Sequence, residues 1–310
     1  MKKIITAILL ICTLVSLTVF ADDVKPVTVT LNGEKIDCEA YGQGATIVDG
    51  RTMVPLRAIF EALGASVDWN QSTKTVISTL DEVQISLSIG SNELLKNGEK
   101  VLLDVPARIM NMRTVVPVRA VSEAFGVDVV WDKETRTVAL LQDKYIKGSV
   151  SDGKFLSEYI GLEFILPEGY AFASEGEIRR FMGIGAGVAD TDIDYSEIDS
   201  LYEFMASDEK GNSIQLISQK KQYNQNLSDY ISQIKKAYDE MEIECETSYT
   251  YHFSQAGKTF KAFDVTFEMF GLKVTQTTAV LETESRFAVF MATYLDEAAK
   301  ETILYGFMEN

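Results

Sequence analysis

One block of this chain occurs twice, and that repeat limits the fold more than any other feature. Residues 51–69 read RTMVPLRAIFEALGASVDW, and residues 113–131 read RTVVPVRAVSEAFGVDVVW. Aligned without a gap, 51–77 and 113–139 share 14 of 27 positions. The tetrapeptide NGEK also recurs, at 32–35 and 97–100. The offsets are 62 for the block and 65 for NGEK, so the first copy holds three extra residues between NGEK and its Arg-Thr. YGQGA at 41–45 is their expected home. The duplication spans roughly residues 27–141 as two units. A catalytic constellation is needed once, whereas a structural module can be repeated. A unit this small cannot close a core alone, so the two copies are expected to pack into one compact α+β domain.

Each copy has a readable shape. NGEK is a turn signal between short β-rich segments. Pro55 suits the first helical position, and Leu56, Ile59, Phe60 and Leu63 then mark one apolar helix face. Gly64 stands where a C-terminal cap belongs. Val67 and Trp69 alternate as in a strand, NQSTK turns the chain, and Thr75-Val76-Ile77 returns. The second copy repeats this with Pro117, Val118, Val121, Phe125, Gly126, Val129 and Trp131, and Ser122 replaces Phe60. Arg57/Glu61 and Arg119/Glu123 stand four apart, where an exposed helical pair contributes only about 0.2–0.5 kcal/mol. Trp69 and Trp131 are expected as core or sheet-face anchors, with glycan stacking as the functional alternative.

The pattern R-T-x-V-P-x-R-x-x-x-E-x-x-G-x-x-V-x-W, followed by a hairpin, resembles the N-terminal or stalk domain of bacterial copper amine oxidase. That resemblance implies an appendage away from the copper centre and a non-catalytic module of exported bacterial proteins. It does not import the oxidase activity. Such a copper site needs several histidines, and this chain has one, His252.

The N-terminus reads as a secretory signal peptide. Lys2 and Lys3 precede an apolar run from Ile4 to Phe20, and Val19-x-Ala21 is followed by two aspartates. Cleavage is expected near Ala21, and Cys12 leaves with the signal. An uncleaved anchor is the alternative, for which the run is a little short. Without Lys2 and Lys3 the formal charge of −17 becomes −19, which repels nucleic acid and anionic lipid. The expected product is secreted or associated with the cell surface, with no stable membrane span. Cys38 and Cys245 remain, and a single disulfide between them competes with two free buried thiols.

Composition changes near Lys147-Gly148-Ser149. Residues 22–147 carry 18 acidic and 14 basic side chains, against 28 and 13 for 148–310. Both tryptophans lie before that point, and 24 of the 29 Tyr and Phe residues lie after it. A linker is expected over 142–158 and a second α+β domain over 159–310. Ser174 with Glu177 forms a capping box, 227–241 has helical apolar spacing, and strand-like runs follow at 247–253, 259–269, 272–281 and 286–294. A closing helix is expected from Asp296 through Phe307. These elements suggest a mostly antiparallel sheet with helices packed on it. GLEFILPEGY at 161–170, the meander and the final strand and helix resemble the PsbP-like domains, which implies binding rather than catalysis.

Candidate chemistry is sparse. His252, in a Tyr-His-Phe strand, has no companion at metal spacing. GIGAG at 183–187 lacks the Lys-Ser/Thr ending of a phosphate loop. Asp190, Asp192 and Asp194 echo a calcium loop, but position six is Tyr195 and position twelve is Leu201. No cofactor is expected. The leading expectation is an exported, non-catalytic envelope or secreted protein with a scaffold or binding role. A secreted hydrolase using carboxylates of the C-terminal domain is one alternative. A cell-wall glycan binder using Trp69 and Trp131 is the other. The sequence leaves the partner unknown, with cell-wall glycan and another envelope protein as the candidates.

Overall fold

The computed structural model describes residues 26–183, 198–241, 243–304 and 306–309. The expected signal segment with Cys12, the calcium candidates Asp190, Asp192 and Asp194, and most of GIGAG lie outside the described residues. The chain divides between Leu140 and Leu141 into two compact units, both α+β.

In the N-terminal unit the matched strands of the two copies pair with each other. Arg51–Pro55 runs antiparallel to Arg113–Pro117, with Met53 opposite Pro117, Val54 opposite Val116 and Pro55 opposite Val115. Val54 and Val116 are equivalents in the repeat, so a pseudo-twofold axis passes between them. Thr46–Val48 and Arg108–Met110 extend this sheet on its two sides. Side chains alternate across a strand. Val54 and Val116 therefore join the main core, while Met53 and Val115 close a small cluster with Val105.

The other strands are exchanged. Ser66–Asn70 and Thr75–Leu80 of the first copy continue through Val83–Ser88 to Glu93–Lys96 and Glu99–Leu102, the NGEK hairpin of the second. Asp128–Asp132 and Thr137–Leu141 of the second copy lie beside Thr28–Leu31 and Glu34–Lys35, the NGEK hairpin of the first. Each copy thus completes its sheet with a hairpin from its twin. Val83–Ser88 has no counterpart, so the junction of Thr28–Leu31 with Thr137–Leu141 is parallel. In both NGEK turns the Asn-Gly pair has positive φ, as a two-residue hairpin loop with matching twist requires.

Helices α1 (Leu56–Ala62) and α2 (Val118–Ala124) follow the paired strands. Pro55 and Pro117 end the strands and occupy the cap position, one residue earlier than expected. Both helices close with the same pair of bonds. Ala65 donates to Phe60 O and Gly64 to Glu61 O, while Val127 donates to Ser122 O and Gly126 to Glu123 O. Phe60 is fully buried, edge-on to Phe125 at 5.2 Å between ring centroids. Its twin Ser122 is also buried, and the Ser122 hydroxyl has no hydrogen-bond partner among the described residues.

The C-terminal unit holds an eight-stranded antiparallel sheet. Its order is Ala171–Phe172, Ser200–Ser207, Ser213–Lys220, Arg286–Tyr294, Leu272–Glu282, Lys258–Met269 and Cys245–Thr247, with Tyr251–Gln255 also pairing with Lys258–Met269. Helix α3 (Glu175–Phe181) opens with the expected capping box. Helix α4 (Leu227–Asp239) covers one face, where Ile231 meets Phe263, Val265, Val280, Phe287 and Val289. The alternate residues Ala288, Phe290, Ala292 and Tyr294 enter the opposite core with Phe155, Phe164 and Phe204. Ile303 of helix α5 (Glu297–Leu304) joins that core.

Two expectations need correction. Residues 149–157, expected within a linker, form the hairpin Ser149–Ser151 and Lys154–Ser157 of a second sheet with Leu162–Ile165. The alternation that buries Phe155 overrides the flexibility suggested by Gly, Ser and Asp. The closing helix ends at Leu304, and Phe307–Glu309 becomes the fourth strand of that sheet.

Candidate functional site

Two grooves in the N-terminal unit are built from equivalent residues. The first, of about 600 Å³, lies between α1, the strand carrying Trp69 and the turn before Arg113–Pro117. The second, of about 360 Å³, lies between α2, the strand carrying Trp131 and the turn before Arg51–Pro55. The pseudo-dyad makes each groove from one copy's helix and hairpin and the other copy's paired strand.

Trp69 and Trp131 are 41% and 36% exposed. The structure therefore places them on the surface and not in the core. The Trp69 indole N–H donates to Gln71 Oε1 at 2.7 Å, which ties its edge while leaving ring surface open. Strand alternation could not have told exposure from burial, because it fixes which residues share a face and not what covers that face.

The charges of the two grooves are set differently. In the second, Arg51 pairs with Asp104 at 2.6 Å, and Arg119 reaches Glu123 at 3.8 Å. In the first, Arg113, the twin of Arg51, donates from Nε to Tyr41 O at 2.8 Å. The Tyr41 hydroxyl donates to Glu61 at 2.9 Å, and this bond pushes its own pKa above the usual value. Tyr41 lies in the short 3-10 turn Glu39–Tyr41, in the stretch where the first copy holds its extra residues. Glu61 is thus engaged, and the expected Arg57–Glu61 bridge has no place among the described ion pairs. Arg57 remains exposed on the groove wall without an ion pair among the described residues.

The lips differ too. Met112 has a φ of 60° and is 87% exposed at the first groove, where its twin at the second is Gly50, with a φ of 75°. A left-handed conformation suits glycine and strains a side chain such as methionine. Each groove also has a second recess beside it. One of about 440 Å³ shares Tyr41 and Glu61 with the first groove, and one of about 390 Å³ shares Arg51 and Arg119 with the second.

The C-terminal unit holds its charges in a sealed network. Arg286 is fully buried, pairs with Asp143 at 2.7 Å and donates to Ile198 O at 3.0 Å. Its guanidinium lies 4.4 Å from the Tyr145 ring centroid. The Tyr145 hydroxyl donates to Glu203 at 2.8 Å, and Gly148 N donates to the same carboxylate at 2.9 Å. Burial pushes the Glu203 carboxyl above the ordinary range and raises the Tyr145 phenol as well. Two carboxylates with unlike environments are what the hydrolase alternative requires. Here both are turned to donors of the chain itself and closed off from solvent. The network pins 143–148 to the sheet.

His252 is exposed on Tyr251–Gln255. Among the described residues no group of three or more His, Cys, Asp or Glu could hold a metal ion. No described helix is long and apolar enough to cross a membrane. Cys38 and Cys245 are free thiols, and burial pushes Cys38 up to about 11.

No curated protein matches the chain. Among solved structures it is similar to cyanobacterial PsbP from Synechocystis sp. PCC 6803, at 10% identity and a TM-score of 0.34, over 54% of this chain and 99% of that one. It is also similar to LpqN, involved in cell envelope biogenesis of Mycobacterium tuberculosis, at 12% identity and a TM-score of 0.31, over 47% of this chain and 82% of that one. Residues 28–140 match the family described as the copper amine oxidase N-terminal domain, so the interlocked pair of copies, and not the chain as a whole, is similar to that family.

Proposed function

We propose that this protein is an exported, non-catalytic component of a bacterial envelope. Residues 28–140 act as a spacing and docking body, and the acidic, aromatic-rich C-terminal unit binds another envelope component. One observation carries this reading. Many of the residues matched between the copies serve the dyad sheet, the helix ends and the core, which supports a structural use of the repeated body. The family match concerns an appended N-terminal domain and not a catalytic one. The basic and apolar segment before Ala21 supports export.

Cell fractionation with N-terminal sequencing tests the location. The mature chain should begin at Asp22 outside the cytoplasm. Incubation with glycan, peptide and amine substrates tests the chemistry. Turnover of any of them at an enzyme-like rate, about 1 s⁻¹ or faster, would overturn the proposal.

A further inference from the structure

We propose that the two tryptophan grooves of the N-terminal unit are twin sites for a neutral glycan chain, with the Trp69 groove the tighter. The inference goes beyond a spacing role, because it gives the repeated body a ligand of its own.

Four observations carry it. Both copies leave an indole exposed at matched positions, one with its N–H tied so that the ring is held in place. An indole offers a flat apolar face, which suits the C–H face of a pyranose ring. Around Trp69 the polar groups are balanced, Arg57 and Arg113 against Glu61 and Asp68. Sugar hydroxyls both donate and accept, so they can use both kinds of partner, whereas a polyanion or polycation would meet like charge. Beside each groove lies a second recess that shares lining side chains with it, which gives a chain of several sugars further surface to contact. Met112 stands exposed at the lip of the Trp69 groove, an apolar side chain beside the indole where the twin groove has Gly50. The Trp69 groove has the larger volume, a methionine at its lip and an arginine without an ion pair among the described residues, and on those grounds it is the tighter of the two.

The chain has two tryptophans, so indole emission reports only these grooves. The mature full chain with Trp131→Phe isolates the first groove, and Trp69→Phe isolates the second. Each is titrated with chitotetraose, cellotetraose and peptide-free peptidoglycan strands. A saturable blue shift is expected in both proteins with the same glycan, about threefold tighter at Trp69. Met112→Gly should raise the thermal midpoint yet weaken binding at Trp69 by about tenfold, leaving Trp131 unchanged. Arg57→Ala should weaken the same site without moving the midpoint. A silent response from both tryptophans to all three glycans would overturn the proposal. So would a response to stem peptide alone, or a Met112→Gly variant that is stabilised with binding intact. Glycan binding without turnover supports both this inference and the non-catalytic reading, whereas turnover breaks only the latter.

Discussion

The two units solve the burial of polar groups in opposite ways. The N-terminal unit keeps its ion pairs on the surface, where both partners of Arg51–Asp104 and of Arg119–Glu123 stand about half exposed or more. Its buried core polar groups are single hydroxyls such as Ser78 and Ser122. The C-terminal unit seals Arg286, Asp143 and Glu203 inside. A surface pair contributes about 0–1 kcal/mol, while removing one partner of a buried pair costs about 3–5 kcal/mol. The stability of the first unit therefore rests on shape and that of the second also on charge.

The largest expected effect tests this contrast. Arg286→Met leaves Asp143 buried and unpaired and should cost about 3–5 kcal/mol in urea unfolding followed by circular dichroism. Adding Asp143→Leu should recover much of that loss. If the single variant lost under about 1 kcal/mol, the network would not be structural.

Glu203 sharpens the same point through pH. Its folded pKa is raised by burial. The folded state therefore holds its proton to higher pH than the unfolded state, and stability falls as pH rises from the ordinary carboxylate value through the raised one. Glu203→Gln should flatten that slope in unfolding curves taken across the acidic range. An unchanged slope would mean that another group carries it.

The pseudo-dyad gives the next test, now within the first unit. Ser122→Ala removes a buried hydroxyl with no partner among the described residues and should stabilise by about 1 kcal/mol by thermal unfolding. A loss would show that the hydroxyl is used. In the C-terminal unit, Phe270 sits in a two-residue turn with a φ of 54° and is 97% exposed. Phe270→Asn introduces the Asn-Gly pair that both NGEK turns use, and should stabilise by up to about 1 kcal/mol. The smallest effect belongs to Arg119→Ala, a loss of about 0.2–0.5 kcal/mol. A larger loss there would contradict the surface reading of the N-terminal charges.

Local features were legible in the sequence and partner choice was not. The NGEK turns, the glycine-closed helices and the capping box at Ser174 depend on residues close in the chain. The exchange of hairpins does not, because alternation fixes a strand's faces without naming its neighbour. Arg57 was expected to pair with Glu61 on helix spacing alone, and Tyr41 from the first copy's longer connection took the carboxylate instead. Residues 143–148 read as linker because their anchors, Arg286 and Glu203, are distant in sequence. An arginine at the head of the apolar run RFAVFMATY was the available signal, since such a residue needs a buried partner. The grooves were half legible. The tryptophans stood out, while their exposure and the left-handed Met112 depend on the folded pair of copies.

The interlocking of the copies is tested most directly by removing residues 26–36 in a Trp69→Phe background and following Trp131 emission during urea unfolding. Those residues supply the first copy's hairpin, which here completes the sheet of the second. The interlocked fold requires that Trp131 lose its cooperative transition or move to much lower urea, although it lies far along the chain. An unchanged Trp131 transition would mean that the second copy folds on its own and that the shared body is wrong.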